Sequence, residues 1–157
     1  MRLEIELPHE GWAMIRLTAP SVRLEFVASY MPWGSIGELA RATAGLLAGL
    51  PEQVVAWNTE PVEYEFRFVT EGGRTRLEVQ QHPNRRRQRR RAEVPMAVVE
   101  GDTISIARAI WRGLRRVQGS VSAEAFAATW RHPLPSSIVE RIGEQLRGQA
   151  ARRGGER

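Results

Sequence analysis

Period-two alternation, repeated in segment after segment and broken only by turn residues, is what most limits the folds open to this chain. Leu3, Ile5 and Leu7 alternate with Arg2, Glu4 and Glu6 until Pro8, the pattern of a strand with one face in a core and the other in water. Trp12 to Thr18 and Val22 to Ala28 follow, separated only by Ala19-Pro20-Ser21, and Val22, Leu24, Phe26 and Ala28 fall on one face. Val54 to Trp57 comes next. In the long segment from Val62 to Val69, Val62, Tyr64, Phe66 and Phe68 alternate with Glu63, Glu65 and Arg67, and Glu71-Gly72-Gly73 turns the chain into Thr75, Leu77 and Val79. Val94 to Val99 closes the series. Connections this short join antiparallel neighbours, because a parallel pair needs a crossover of about a dozen residues or more.

The one longer connection between these strands reads as a helix. Ser35 and Glu38 have the spacing of a capping box, and Leu39, Ala42, Leu46, Leu47 and Leu50 keep helical spacing up to Pro51, predicting a helix over 36–49. It carries no charge after Arg41 and is expected to be largely buried against the sheet. Asp102 is placed to cap a helix over 103–118 with Ala107, Ile110, Trp111, Leu114 and Val117 on its inner stripe. Ser122 opens a short helix bearing Phe126 and Trp130, which His132-Pro133-Leu134-Pro135 ends. Ser137 and Glu140 have the spacing of a second capping box, for a last helix with Ile138, Ile142 and Leu146 on one face. The expected class is α+β: a mainly antiparallel sheet of six or seven strands, three then four, one helix inserted between them, and two or three C-terminal helices. A single domain over 1–147 is expected, with a flexible tail over 148–157, where no apolar residue beyond alanine occurs.

Composition removes several chemistries. The chain has no Cys and no Lys, and its only Asp is Asp102. Disulfides, thiolate metal sites, Schiff-base lysines and a phosphate-loop lysine are therefore excluded. The exclusive use of Arg matches the codon bias of a GC-rich bacterial genome. MRLEIELPHEG lacks the apolar run of a signal peptide or membrane helix, so a cytoplasmic location without membrane contact is expected.

Arg85, Arg86, Arg87, Arg89, Arg90 and Arg91, in the run RRRQRRR, hold six of the 23 basic residues, and the rest of the chain has 17 Arg against 18 acidic residues. The net charge of +5 is thus the property of one segment, set between two strands after Pro83-Asn84. The run resembles, in these seven residues alone, the arginine-rich motif of lentiviral Tat transactivators, which bind structured RNA; nothing else in the chain resembles Tat, and its function is not carried over. Such a segment can neutralise about four to six phosphates, with log K falling by about 0.9 per phosphate against log salt on duplex DNA. A solvated loop is the alternative, and the codon bias favours it. Arg108, Arg112, Arg115 and Arg116 recur at i, i+4, i+7 and i+8 on the outer side of the second helix. They either extend a partner- or phosphate-binding surface or form an ordinary solvated face. No aromatic RNA-binding strand motif, GXXG loop, zinc-finger spacing or clear helix-turn-helix is present.

His9, His82 and His132 are scattered, and neither HExxH, HxH nor GxSxG occurs; a Ser-His-Asp triad would have to use Asp102, which is better placed as a cap. No catalytic residue, metal or cofactor is expected. Glu60, Glu63 and Glu65 border one strand, the last two on one face, which reads as its solvent side. Tyr30, Met31 and Trp33 lie in a loop between a strand and a helix, either plugging the core or anchoring a protein contact.

Ser29-Tyr30 leaving a strand, Leu46 to Gly49 ending a Leu/Ala-rich helix, and Trp57 with Glu60-Pro61 ahead of Glu63-Tyr64 together give Ala28 to Val79 its character. This third of the chain resembles a group of small uncharacterised proteins of actinobacteria and other GC-rich bacteria. The shared motifs are structural and imply no activity. The expected function is a non-catalytic domain that binds a protein partner, of the immunity or accessory type found in bacterial toxin systems; the alternative is RNA or DNA binding through Arg85 to Arg91.

Overall fold

The alternating segments form seven strands, β1 (Arg2–His9), β2 (Trp12–Ala19), β3 (Val22–Ser29), β4 (Glu52–Asn58), β5 (Glu63–Glu71), β6 (Arg74–His82) and β7 (Ala97–Asp102). They lie in sequence order in one antiparallel sheet. Helix α1 (Ser35–Leu47) fills the β3–β4 connection, and α2 (Thr103–Ser120), α3 (Ala123–Trp130) and α4 (Ser136–Gly155) follow the sheet. This is the expected α+β arrangement, seen in a computed structural model that describes residues 1–82 and 94–155.

The sheet divides into a three-stranded and a four-stranded meander joined at a single pair, Ser29 with Asn58. Their inner faces share one core. Phe26 of β3 stacks on Tyr64 of β5 with ring centroids 4.4 Å apart and meets Trp57 and Phe66 edge-on at 6.0 Å. Contact between β3 and β7, which are not neighbours in the sheet, shows how far it curls. α2 packs against β1, β6 and β7, and α1 against β4, α2 and α4, closing the open side.

Local chemistry explains where these elements begin and end. Gly72 (φ 54°) and Gly73 (φ 76°) are the two central residues between the paired Glu71 and Arg74. Both have positive φ, as the primed turn that suits strand twist requires. Asp102 caps α2, accepting from the Ser105 N–H and hydroxyl at 3.0 Å each, and Ser122 caps α3, accepting from the Ala125 N–H at 3.1 Å. Asp102→Ala is expected to cost about 1 kcal/mol, read as a shift in the urea midpoint at unchanged slope.

Several expected boundaries move. Ser35 does not cap α1: Gly34 holds that position, and the Ser35 hydroxyl instead donates to the Ala56 carbonyl at 2.5 Å, tying the helix to an edge of β4 that β3 leaves unpaired there. In α4 the Pro135 carbonyl accepts the first helical bond, from the Val139 N–H at 3.0 Å. Ser137 therefore lies inside the first turn, where a capping box cannot form. The helix continues past Arg147 to Gly155. β1 runs through Pro8 to His9 because the β1–β2 register shifts between Glu6 and His9, a break that tolerates the missing proline donor. β7 starts at Ala97 rather than Val94. Pro95 has no N–H to give to a ladder, the first bond to β6 comes from the Met96 N–H to the Val79 carbonyl at 2.9 Å, and Val94 is 78% exposed.

Candidate interaction surface

Three arginines on the outer face of the sheet, Arg16, Arg67 and Arg76, are each held by two carboxylates. On β1–β3, Arg16 donates to Glu6 at 2.8 Å and to Glu25 at 2.5 Å. On β4–β7, Arg67 donates to Glu52 at 2.6 Å and to Glu78 at 3.3 Å, while Arg76 donates to Glu78 at 2.9 Å and also to Glu100. The ladder crosses all four strands because the register sets these residues opposite or diagonal to one another. Hydrogen bonds from Arg76 and then Arg67, joined by their charges, hold the Glu78 carboxyl below its ordinary 4.5 against the opposing effect of burial.

A carboxylate whose folded pKa is depressed contributes stability that is complete above its unfolded value. That stability disappears as pH falls through the folded value. Glu78→Gln is therefore expected to flatten the acid limb of the stability profile below about pH 4.5, measured by urea denaturation across that range; an unchanged limb would remove Glu78 from the acid response.

Helix α2 contrasts with the sheet. Its apolar stripe, with Ile106, Ala107, Ile110, Leu114 and Val117 buried, turns Arg112, Arg115 and Arg116 to solvent and leaves Arg108 half-exposed. The expected outer face is present, and its charges are poorly compensated. Arg115 donates to the neutral Gln118 at 2.7 Å, Arg116 lies 3.9 Å from Glu4, and Arg108 and Arg112 form no ion pair among the described residues. Arg85, Arg86, Arg87, Arg89, Arg90 and Arg91 lie outside the described residues, between β6 and β7.

A second cluster forms where the two meanders meet. One row of paired residues crosses four strands through Ser29, Asn58, Glu63 and His82. The loop carrying Tyr30, Met31 and Trp33 folds over this row. Asn58 Nδ2 donates to the Met31 carbonyl at 2.6 Å, Trp33 Nε1 to Glu63 at 3.4 Å, and His132 Nε2 to the Tyr30 carbonyl at 2.9 Å. Glu63 is thus 5% exposed and not on a solvent face as its alternation implied, because residues far away in sequence cover it. The three loop residues divide: Tyr30 packs on the core, Trp33 is half-buried, and Met31 is exposed. The loop packs Tyr30 on the core and leaves Met31 and Pro32 exposed.

The remaining polar groups are dispersed. His82 Nε2 is 3.8 Å from Glu65. Asp102 pairs along the sheet with Arg74 at the opposite end of β6, about 27 Å from His82 at ~3.4 Å per strand residue, so these two do not join in a triad. Among the described residues no cluster of three His, Asp or Glu side chains could hold a metal ion, and no helix is long and apolar enough to cross a membrane.

Fold and surface together define an α+β domain with a cationic helix set beside a sheet whose strands carry six Arg and ten acidic residues. No protein-family model, curated protein or solved structure matches the chain. Arg2 and Glu4 escaped the sequence reading: both are the polar half of an edge strand there, and nothing local announces that α2 packs beside them.

Proposed function

We propose that this protein is a non-catalytic, cytoplasmic binding domain of the immunity or accessory type, and that its partner is a protein presenting an acidic face to α2. The partition of arginine carries the reading. Arg16, Arg67 and Arg76 are each held by two carboxylates, whereas Arg108 and Arg112 have no ion pair among the described residues. Charge left uncompensated on a rigid, well-buried helix contributes little to the fold and steers association with an opposite surface. The resemblance of Ala28 to Val79 to small proteins of GC-rich bacteria belongs to the same proposal, as kinship of architecture.

The test is capture from nuclease-treated lysate of the source cells at low and moderate salt, with wild type and the variant Arg112→Glu, Arg115→Glu, Arg116→Glu. An acidic protein retained in stoichiometric amount by wild type and lost by the variant is the expected result. Turnover in a hydrolase or transferase screen that disappears on substituting a His or Glu would defeat it.

The density of Arg85 to Arg91, six guanidinium groups in seven positions, favours nucleic-acid binding as the second reading. It predicts a raised 260/280 nm absorbance ratio after low-salt purification, abolished by replacing the six Arg with Ser. Affinity for RNA or DNA that does not change with salt would end it.

A further inference from the structure

Gly113 lets α2 approach β1 at backbone distance: a Cβ there would sit 2.7 Å from the Leu3 carbonyl oxygen. That approach places the turns of the helix on either side of Gly113 beside the start of β1, where a cleft of about 330 Å³ is lined by Met1, Arg2, Ala109, Arg112 and Arg116. Ala109 and Arg112, at i and i+3, with Arg116 at i+7, form one side of the helix, and the small Ala109 keeps the floor open. Three arginines from two elements line this space. The nearby carboxylate that engages them is Glu4, 2.6 Å from Arg2 and 3.9 Å from Arg116, and Arg112 has no ion pair among the described residues. Three cations against one anion leave a surplus of two positive charges.

We propose that this cleft binds a compact oligophosphate anion of the di- or triphosphate class. Guanidinium forks match phosphate oxygens two at a time, and the surplus charge is more than one carboxylate would balance. The volume lies near the lower end for small-molecule sites. None of the five lining residues is aromatic, so recognition rests on the phosphates and not on a base. Without the anion, Arg112 and Arg116 repel each other at i, i+4, a repulsion that a bound anion relieves. The site shares Arg112 and Arg116 with the protein-partner surface but does not depend on that reading, since a small anion occupies it without any macromolecule.

Calorimetric titration of the full chain with inorganic pyrophosphate at fixed ionic strength tests it, with sulfate and orthophosphate for comparison. The expected result is saturable one-to-one binding of pyrophosphate, weaker binding of the other two, and a loss of about tenfold in Arg112→Gln and in Arg116→Gln. Arg112→Lys should also weaken binding, because it keeps the charge and loses the fork, and it serves as the test if the Gln variants fail to fold. The chain with six Ser in place of Arg85 to Arg91 should bind as wild type does. A nucleoside diphosphate binding as tightly as pyrophosphate locates recognition in the phosphates, and tighter binding identifies a nucleotide as their source. Non-saturable uptake, or binding that vanishes with the six-Ser chain and survives Arg112→Gln and Arg116→Gln, overturns the site and leaves the protein-partner test untouched.

Discussion

Trp57→Ala is expected to lower the unfolding free energy by about 3–5 kcal/mol, a large share of the ~5–15 kcal/mol that holds a domain of this size. Trp57 is fully buried at the join of the two meanders, edge-on to Phe26 and 5.7 Å from Phe66 between ring centroids. Removing the indole opens a cavity that neither half of the sheet can fill alone. The conservative change reads differently. The Trp57 Nε1 atom is buried with no hydrogen-bond partner, so Trp57→Phe sacrifices volume but also removes an unsatisfied donor, whose desolvation costs roughly 1–3 kcal/mol. It should therefore destabilise far less than alanine does, by urea denaturation. Equal losses for the two variants would show that the indole N–H is satisfied after all.

Gly113→Ala reverses the usual sign of a helical substitution. Glycine inside a helix is about 1 kcal/mol worse than alanine, so on propensity alone the change should stabilise α2. The Cβ, however, would lie 2.7 Å from the Leu3 carbonyl oxygen, which belongs to the backbone of β1 and cannot rotate away. Helix and strand must separate, and overpacking of this kind costs about 1–3 kcal/mol. A net loss of stability is expected, and Gly113→Val should exceed it. Gly119→Ala is the internal control: it lies in the same helix with nothing within 4 Å of its Cβ, and should be neutral or stabilising. If Gly113→Ala stabilises as Gly119→Ala does, α2 does not dock on β1 at backbone distance.

All seven strands were legible, most of them through period-two alternation, because burial on one face leaves its record in every second residue; the end of β1 and the start of β7 were misplaced. The helices were legible through their apolar stripes and, at Asp102 and Ser122, through their caps. Ser35 misled because a serine at a helix start has two outlets for its hydroxyl. The choice of the Ala56 carbonyl over the helix's own N–H groups depends on where β4 passes, which local sequence does not contain. Glu63 misled for the same reason: strand alternation marks the face away from the core, but a loop thirty positions earlier in the chain, through Trp33, decides whether that face meets water. The surface followed this division. The cationic side of α2 could be read from spacing, whereas its lack of counter-charges, the pairing of Arg16, Arg67 and Arg76, and the cleft shared with Arg2 exist only after the sheet has folded.

The central claim is that Arg16, Arg67 and Arg76 are consumed for structure on the sheet, whereas the arginines of α2 are kept for binding. The direct measurement is paired denaturation and partner capture on the variant Arg112→Gln, Arg115→Gln, Arg116→Gln beside Arg67→Gln. The account predicts that the triple variant keeps its unfolding free energy within about 0.5 kcal/mol of wild type while losing the acidic partner, and that Arg67→Gln loses stability while keeping the partner. A triple variant that unfolds more easily and still holds the partner would contradict it.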